Sequence, residues 1–115
     1  MSDLPTINRF AVILLPTEAC LEWARFCPGD DTGAAVAAVQ REPTVYLIPE
    51  GSAKPEDYVR RHFKVMFEEE LNSWYTDPDL WPKDLSFKTF KKFFTIQIAT
   101  MVFDLGKAVI VTEED

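Results

Sequence analysis

Hydrophobic and polar positions follow three patterns along this chain, and each predicts a different kind of element. Two short runs are apolar almost throughout and closed by proline: residues 9–15, RFAVILL before Pro16, and residues 44–48, TVYLI before Pro49. They are too short for helices and rich in aliphatic side chains, so both predict strands, the first covered on both faces. Val12-Ile13-Leu14-Leu15-Pro16 and Val45-Tyr46-Leu47-Ile48-Pro49 echo one another. The echo predicts two similar strands side by side, with a parallel arrangement open to them if the helices between serve as the crossover.

Helical spacing is the second pattern. Thr17 can cap a helix that runs to Phe26, with Ala19, Leu21, Trp23 and Phe26 turned inward. Cys27-Pro28-Gly29 ends it, and Asp30, Asp31 or Thr32 can cap a short helix over 33–41. The longest helical pattern covers 55–74. Pro55 suits a first turn, and Glu56 and Asp57 lie near the positive end of the dipole. Val59, Phe63, Met66, Phe67 and Trp74 share one arc, with Leu71 at its edge, while Arg61, Lys64, Glu68 and Asn72 lie opposite. Thr76-Asp77-Pro78-Asp79 is turn chemistry. Leu80 and Trp81 follow in a loop, which predicts a segment folded back on the core; an exposed recognition tip is the alternative. Ser86 can cap a Phe-rich helix, with Leu85 and Phe90 as a hydrophobic staple. Phe87, Phe90 and Phe94 keep helical spacing, and Lys88, Lys91 and Lys92 face out.

The third pattern starts near Phe94, where the period changes from helical to alternating. Ile96, Ile98, Thr100 and Val102 alternate with their neighbours, predicting a strand over 95–103, against the rival reading that the preceding helix continues. Asp104-Leu105-Gly106-Lys107 can turn the chain so that 108–112 returns as a hairpin partner. Together these elements predict an α+β fold: one domain over 1–115, with a three- to four-stranded, mixed or mostly antiparallel sheet and the long and Phe-rich helices on one face.

Charge narrows the function. The formal net charge is −7 and is spread along the chain. Nucleic-acid affinity rests on neutralising phosphates, so this balance argues against a general DNA or RNA binder, and the same reasoning disfavours an anionic membrane surface. A basic partner protein fits it. The longest apolar runs are too short to span a bilayer, and the first residues lack a basic segment followed by an apolar one, so a cytoplasmic location is expected. Cys20 and Cys27 are the only cysteines and lack metal-site spacing; reduced thiols are expected rather than zinc ligands, and no cofactor is implied.

Few residues invite a chemical reading. No phosphate-cradling glycine loop is present. His62, the only histidine, falls at the border of the apolar arc of the long helix, as a solvated border residue would. Glu68, Glu69 and Glu70 are consecutive, so on a helix they point in different directions. Asp77 and Asp79 flank Pro78 as turn formers do. The lysines and phenylalanines of 87–94 superficially resemble a nucleic-acid platform, but at helical spacing they read as a solvated face and a core. Glu70 is the exception: it falls at the centre of the apolar arc, where an unpaired carboxylate is costly. It must find partners or a proton. Arg60, the indole of Trp74, Gln97 and Thr100 are the candidate donors, and the expectation is a buried tie from the long helix to the sheet or to the Trp81 loop.

Glu70-Leu71, Trp74, Asp77, Leu80-Trp81-Pro82, Phe87, Phe90 and Met101-Val102-Phe103-Asp104-Leu105 resemble a family of short acidic bacterial proteins of unknown function, and the similarity extends to 44–50. The resemblance implies a bacterial cytosolic single-domain protein and no substrate, cofactor or catalytic residue. Two classes follow. One is a noncatalytic adaptor, inhibitor or immunity-type protein that engages a basic partner. The other is a small enzyme or ligand binder that uses Glu70 in a pocket beside the long helix. Glu70, Trp74, Asp77 and Trp81 are the candidate functional or structural polar residues.

Overall fold

The apolar run before Pro16 forms the central strand of a three-stranded sheet. The structure, a computed structural model, describes residues 4–26, 42–51 and 54–113. Strand β1 spans Arg9–Pro16, helix α1 Glu18–Phe26, strand β2 Thr44–Pro49, helix α2 Pro55–Trp74, helix α3 Phe87–Phe93 and strand β3 Phe94–Ala99. A single 3-10 turn, Pro78–Leu80, lies between α2 and α3. The sheet order is β2-β1-β3 and both pairings are antiparallel. The fold is therefore α+β, with an open antiparallel sheet. The helix expected over 33–41, and Cys27, lie outside the described residues.

The two proline-closed runs are neighbours, but not parallel: Phe10 pairs with Ile48 and Leu14 with Thr44 in opposite directions. Their echo could not decide this. A period of two turns the same alternate side chains inward whichever way a strand runs. Phe10, Val12 and Leu14 of β1, Tyr46 and Ile48 of β2 and Phe94, Ile96 and Ile98 of β3 belong to the main core or pack against it. The core is completed by Cys20 from α1, Val59, Met66, Phe67 and Leu71 from α2, and Phe90 and Phe93 from α3. The other face of β1 is covered only in part: Ala11 is buried and Ile13 half-buried there, while Leu15 is exposed, as are Val45 and Leu47 across the β1–β2 pairing.

Helix α2 keeps the predicted bounds because Pro55 sets its start and Tyr75 leaves the helical region at its end. Ser86 caps α3, its hydroxyl accepting from the Thr89 N–H at 3.3 Å. Asp84 holds that cap: its carboxylate accepts from the Thr89 hydroxyl and the Ser86 N–H, and those bonds hold it below the usual aspartate range. Helix α3 passes directly into β3 at Phe94, where the period was predicted to change.

β3 is shorter than the predicted 95–103 strand. It stops at Ala99, the chain bends at Thr100, and pairing resumes as a single bridge between Thr6 and Phe103, with Ile7 N–H donating to the Val102 carbonyl at 2.9 Å. Asp104 accepts from the Gly106 N–H at 2.8 Å, so the predicted turn chemistry is present. The hairpin partner over 108–112 does not form, and Val109, Ile110 and Val111 are exposed. A two-stranded ribbon reaching past the sheet has no surface to bury an apolar side chain against, and alone it is at best marginally stable.

Candidate functional site

Glu70 is the one buried charged residue among the described residues, at 6% exposure. Its partners come from β2. The Tyr46 hydroxyl donates to Oε2 at 2.6 Å, and the Thr44 hydroxyl donates to Oε1 at 3.2 Å. Tyr46 and Thr44 are two apart on a strand, so both turn toward α2, and Met66 and Glu70 are one helical turn apart beneath them. The Tyr46 hydroxyl also lies 3.4 Å from the Met66 carbonyl. The expected tie between helix and sheet is present, with different donors. Arg60 points elsewhere, and Gln97 is exposed on β3. The signal lay in TVYLI, whose two hydroxyl-bearing residues occupy its helix-facing alternation.

Burial pushes the Glu70 carboxyl above the usual range; the bonds from Tyr46 and Thr44 pull it back, and the charge of Glu69 adds a smaller upward push. Burial also raises the Tyr46 phenol far above its ordinary value, reinforced by its bond to Glu70, so Tyr46 is a donor and not a base. Burial, and then the Glu70 charge, push the Cys20 thiol up to about 12, which suppresses the reactive thiolate.

The other predicted residues serve a different place. Asp77 is exposed and caps the 3-10 turn, accepting from the Asp79 N–H at 3.0 Å. That turn carries Leu80 and Trp81 back toward α1 and the end of α2. Trp81 Nε1 donates to the Tyr75 carbonyl at 2.8 Å, Trp23 Nε1 donates to the Leu80 carbonyl at 3.1 Å, and the Tyr75 hydroxyl donates to the Ala24 carbonyl at 2.7 Å. Trp74 and Trp81 both pack against the main core and are half-buried. These residues hold the loop on the domain and do not converge on Glu70. Replacing Trp81 by phenylalanine keeps most of the packing and removes the bond to Tyr75. The expected cost is about 0.5–1.5 kcal/mol in denaturant unfolding; no measurable loss would mean that the loop is held without it.

Glu68 and Glu69 are exposed and diverge from Glu70. His62 is exposed, with its ring 4.1 Å from that of Tyr58. The pair borders a shallow groove of about 170 Å³ between α2 and β2, walled by Tyr46, Leu47, Ile48, Val65 and Met66. Glu70 does not line it.

A larger cavity, about 420 Å³, lies between the first half of α2, α3 and β3. Its lining is Glu56, Val59, Arg60, Phe87, Lys91, Ile96 and Ile98. The Arg60 guanidinium carbon is 5.2 Å from the centroid of the Phe87 ring, and Lys91 Nζ is 5.4 Å from it. Sequence reasoning did not find this site, since its residues come from three elements. The available hint was spacing: Arg60 is one turn after Glu56 and Lys91 one turn after Phe87, so each pair shares a helix face.

No family model matches the chain, and no curated protein and no solved structure matches it.

Proposed function

We propose that this is a noncatalytic binding protein that engages a basic partner protein through the face of its sheet that carries exposed Val45 and Leu47. The observation that carries the reading is the exposed row on that face. Val45 and Leu47 of β2 are 56% and 47% exposed and Leu15 of β1 is exposed on the same face, with half-buried Ile13 between them; Ala11, the partner of Leu47, is buried. Such a row suits an interface. Glu42 and Glu50 are exposed just before and just after β2, within a chain of net charge −7; Glu18, after β1, is ion-paired with Arg25. Opposite charge on a partner would speed association and make it salt-sensitive.

What supports a noncatalytic reading over an enzyme or ligand binder working through Glu70 is the state of that carboxylate. Both its oxygens accept hydroxyl hydrogen bonds, and it lines neither cavity described above. The reading takes the setting to be a bacterial cytoplasm, in keeping with the family resemblance and with a buried Cys20 that stays a thiol. No helix among the described residues is long and apolar enough to cross a membrane.

The test is capture from a bacterial lysate by the immobilised chain, at low and at high salt, beside Leu47→Asp. Leu47 points outward on an edge strand, so the variant should keep its far-UV circular dichroism. The expected result is a basic protein retained at low salt, released at high salt and lost with Leu47→Asp. Retention of that protein by the variant, retention of acidic proteins only, or no retention would each overturn the proposal.

A further inference from the structure

We propose that the cavity beneath Arg60 and Lys91 is a binding site for a small amphiphilic anion, an alkyl or aryl body bearing one carboxylate, phosphate or sulfonate. Its volume, about 420 Å³, falls within the range of small-ligand sites. Its walls are chemically divided. Val59, Ile96 and Ile98 supply aliphatic surface, and Val59 is itself part of the buried core. Arg60 and Lys91 are exposed, each held over the ring of Phe87.

That ring contact sets the chemistry. A cation over an aromatic face is attracted by the ring quadrupole without spending its N–H groups on an acceptor. Neither Arg60 nor Lys91 makes an ion pair among the described residues, where Arg25 with Glu18 does. The guanidinium fork and the ammonium are therefore prepositioned with donors available, and a planar or tetrahedral oxyanion suits them. An anion alone would gain little at so exposed a rim. An apolar body that fills the aliphatic part adds burial, and the two together select an amphiphile over either half. Glu56 also lines the cavity and its charge opposes an anion, so removing that charge should tighten binding. The cavity lies on the helix side of the sheet, opposite the face proposed for the partner, so each proposal stands or falls alone.

The probes are octanoate, octyl phosphate, 1-octanol and inorganic phosphate, titrated calorimetrically into the full chain. Octanoate and octyl phosphate share the proposed chemistry, and comparing them distinguishes carboxylate from phosphate as the preferred head group. Octanoate is expected to bind about tenfold more tightly than 1-octanol, the difference of one charge-assisted contact. Octyl phosphate is expected to bind more tightly than inorganic phosphate. Combining Arg60→Gln with Lys91→Gln should weaken octanoate about tenfold and leave far-UV circular dichroism unchanged, since both side chains are exposed. Lys91→Gln alone is the second variant if the pair is unstable, and Glu56→Gln should tighten octanoate. Equal affinity for octanoate and octanol, inorganic phosphate bound as well as octyl phosphate, unchanged binding in the lysine and arginine variants, or no binding of any probe would each overturn the assignment.

Discussion

Phe90→Ala is expected to lower the unfolding free energy by about 3–5 kcal/mol, the scale for removing a fully buried large aromatic. Phe90 is 0% exposed. Its ring lies 5.6 Å from that of Phe63 and 5.4 Å from that of Phe67 on α2, 6.2 Å from Phe87 on α3 and 5.5 Å from Phe94 at the start of β3. Those neighbours come from three elements, and Phe67 and Phe94 are themselves 1% exposed. Truncation would leave a cavity whose walls cannot close without moving a helix against the sheet. The midpoint and slope of denaturant unfolding measure the loss. Phe103→Ala is the companion: its ring is 41% exposed, and a surface change of that kind should stay within about 0.5 kcal/mol. A loss below about 1 kcal/mol for Phe90→Ala would mean that the phenylalanine cluster relaxes freely.

The same residues show what could be read from the sequence. Helix α2 is long enough for its period to be unmistakable, so Val59, Met66, Phe67 and Leu71 were placed inward correctly, and Glu70 among them. Ser86 and the change of period at Phe94 located α3 and β3. Strand direction was not legible, because alternation in β1 and β2 fixes which side chains turn inward and is blind to which way the chain runs. Register was equally hidden. Without it, Thr44 and Tyr46 cannot be set against Glu70, and the pattern offers Arg60 and Trp74 on the helix or Gln97 and Thr100 on the later strand instead. The apolar residues past Thr100 read as a hairpin because local alternation and turn chemistry were present, while the surface needed to bury them was not. The cavity under Arg60 and Lys91 was invisible for a related reason: the packing of α2 against α3 and β3 creates it, and each residue alone reads as an ordinary solvated charge or core side chain.

Glu70 gives the most discriminating test of what holds α2 to the sheet. Glu70→Leu leaves the Thr44 hydroxyl without its acceptor and leaves Tyr46 only the longer approach to the Met66 carbonyl. The expected loss is about 1–3 kcal/mol, the cost of an unsatisfied buried polar group. Glu70→Gln should lose less, because its amide oxygen accepts one hydroxyl bond and its NH₂ can donate to the oxygen of the other. The pH dependence adds a readout that packing cannot imitate. Burial raises the folded-state carboxyl above its ordinary value of 4.5, so the folded protein binds the proton more tightly than the unfolded chain does. Stability from this group is then fully present below the unfolded value and is lost as pH rises through the folded value, after which it is flat. Asp84 has the opposite sign: its depressed value contributes stability that is present above the ordinary aspartate range and lost as pH falls through the folded value. Subtracting the Glu70→Gln profile from the parent's cancels Asp84 and the other shared acids. That difference should favour the parent least at high pH and decline upward from about pH 4.5, the ordinary value for this side chain. A difference that rises with pH over that window would show that hydrogen bonding from Tyr46 and Thr44 outweighs burial, and a flat one that Glu70 titrates as it does in the unfolded chain.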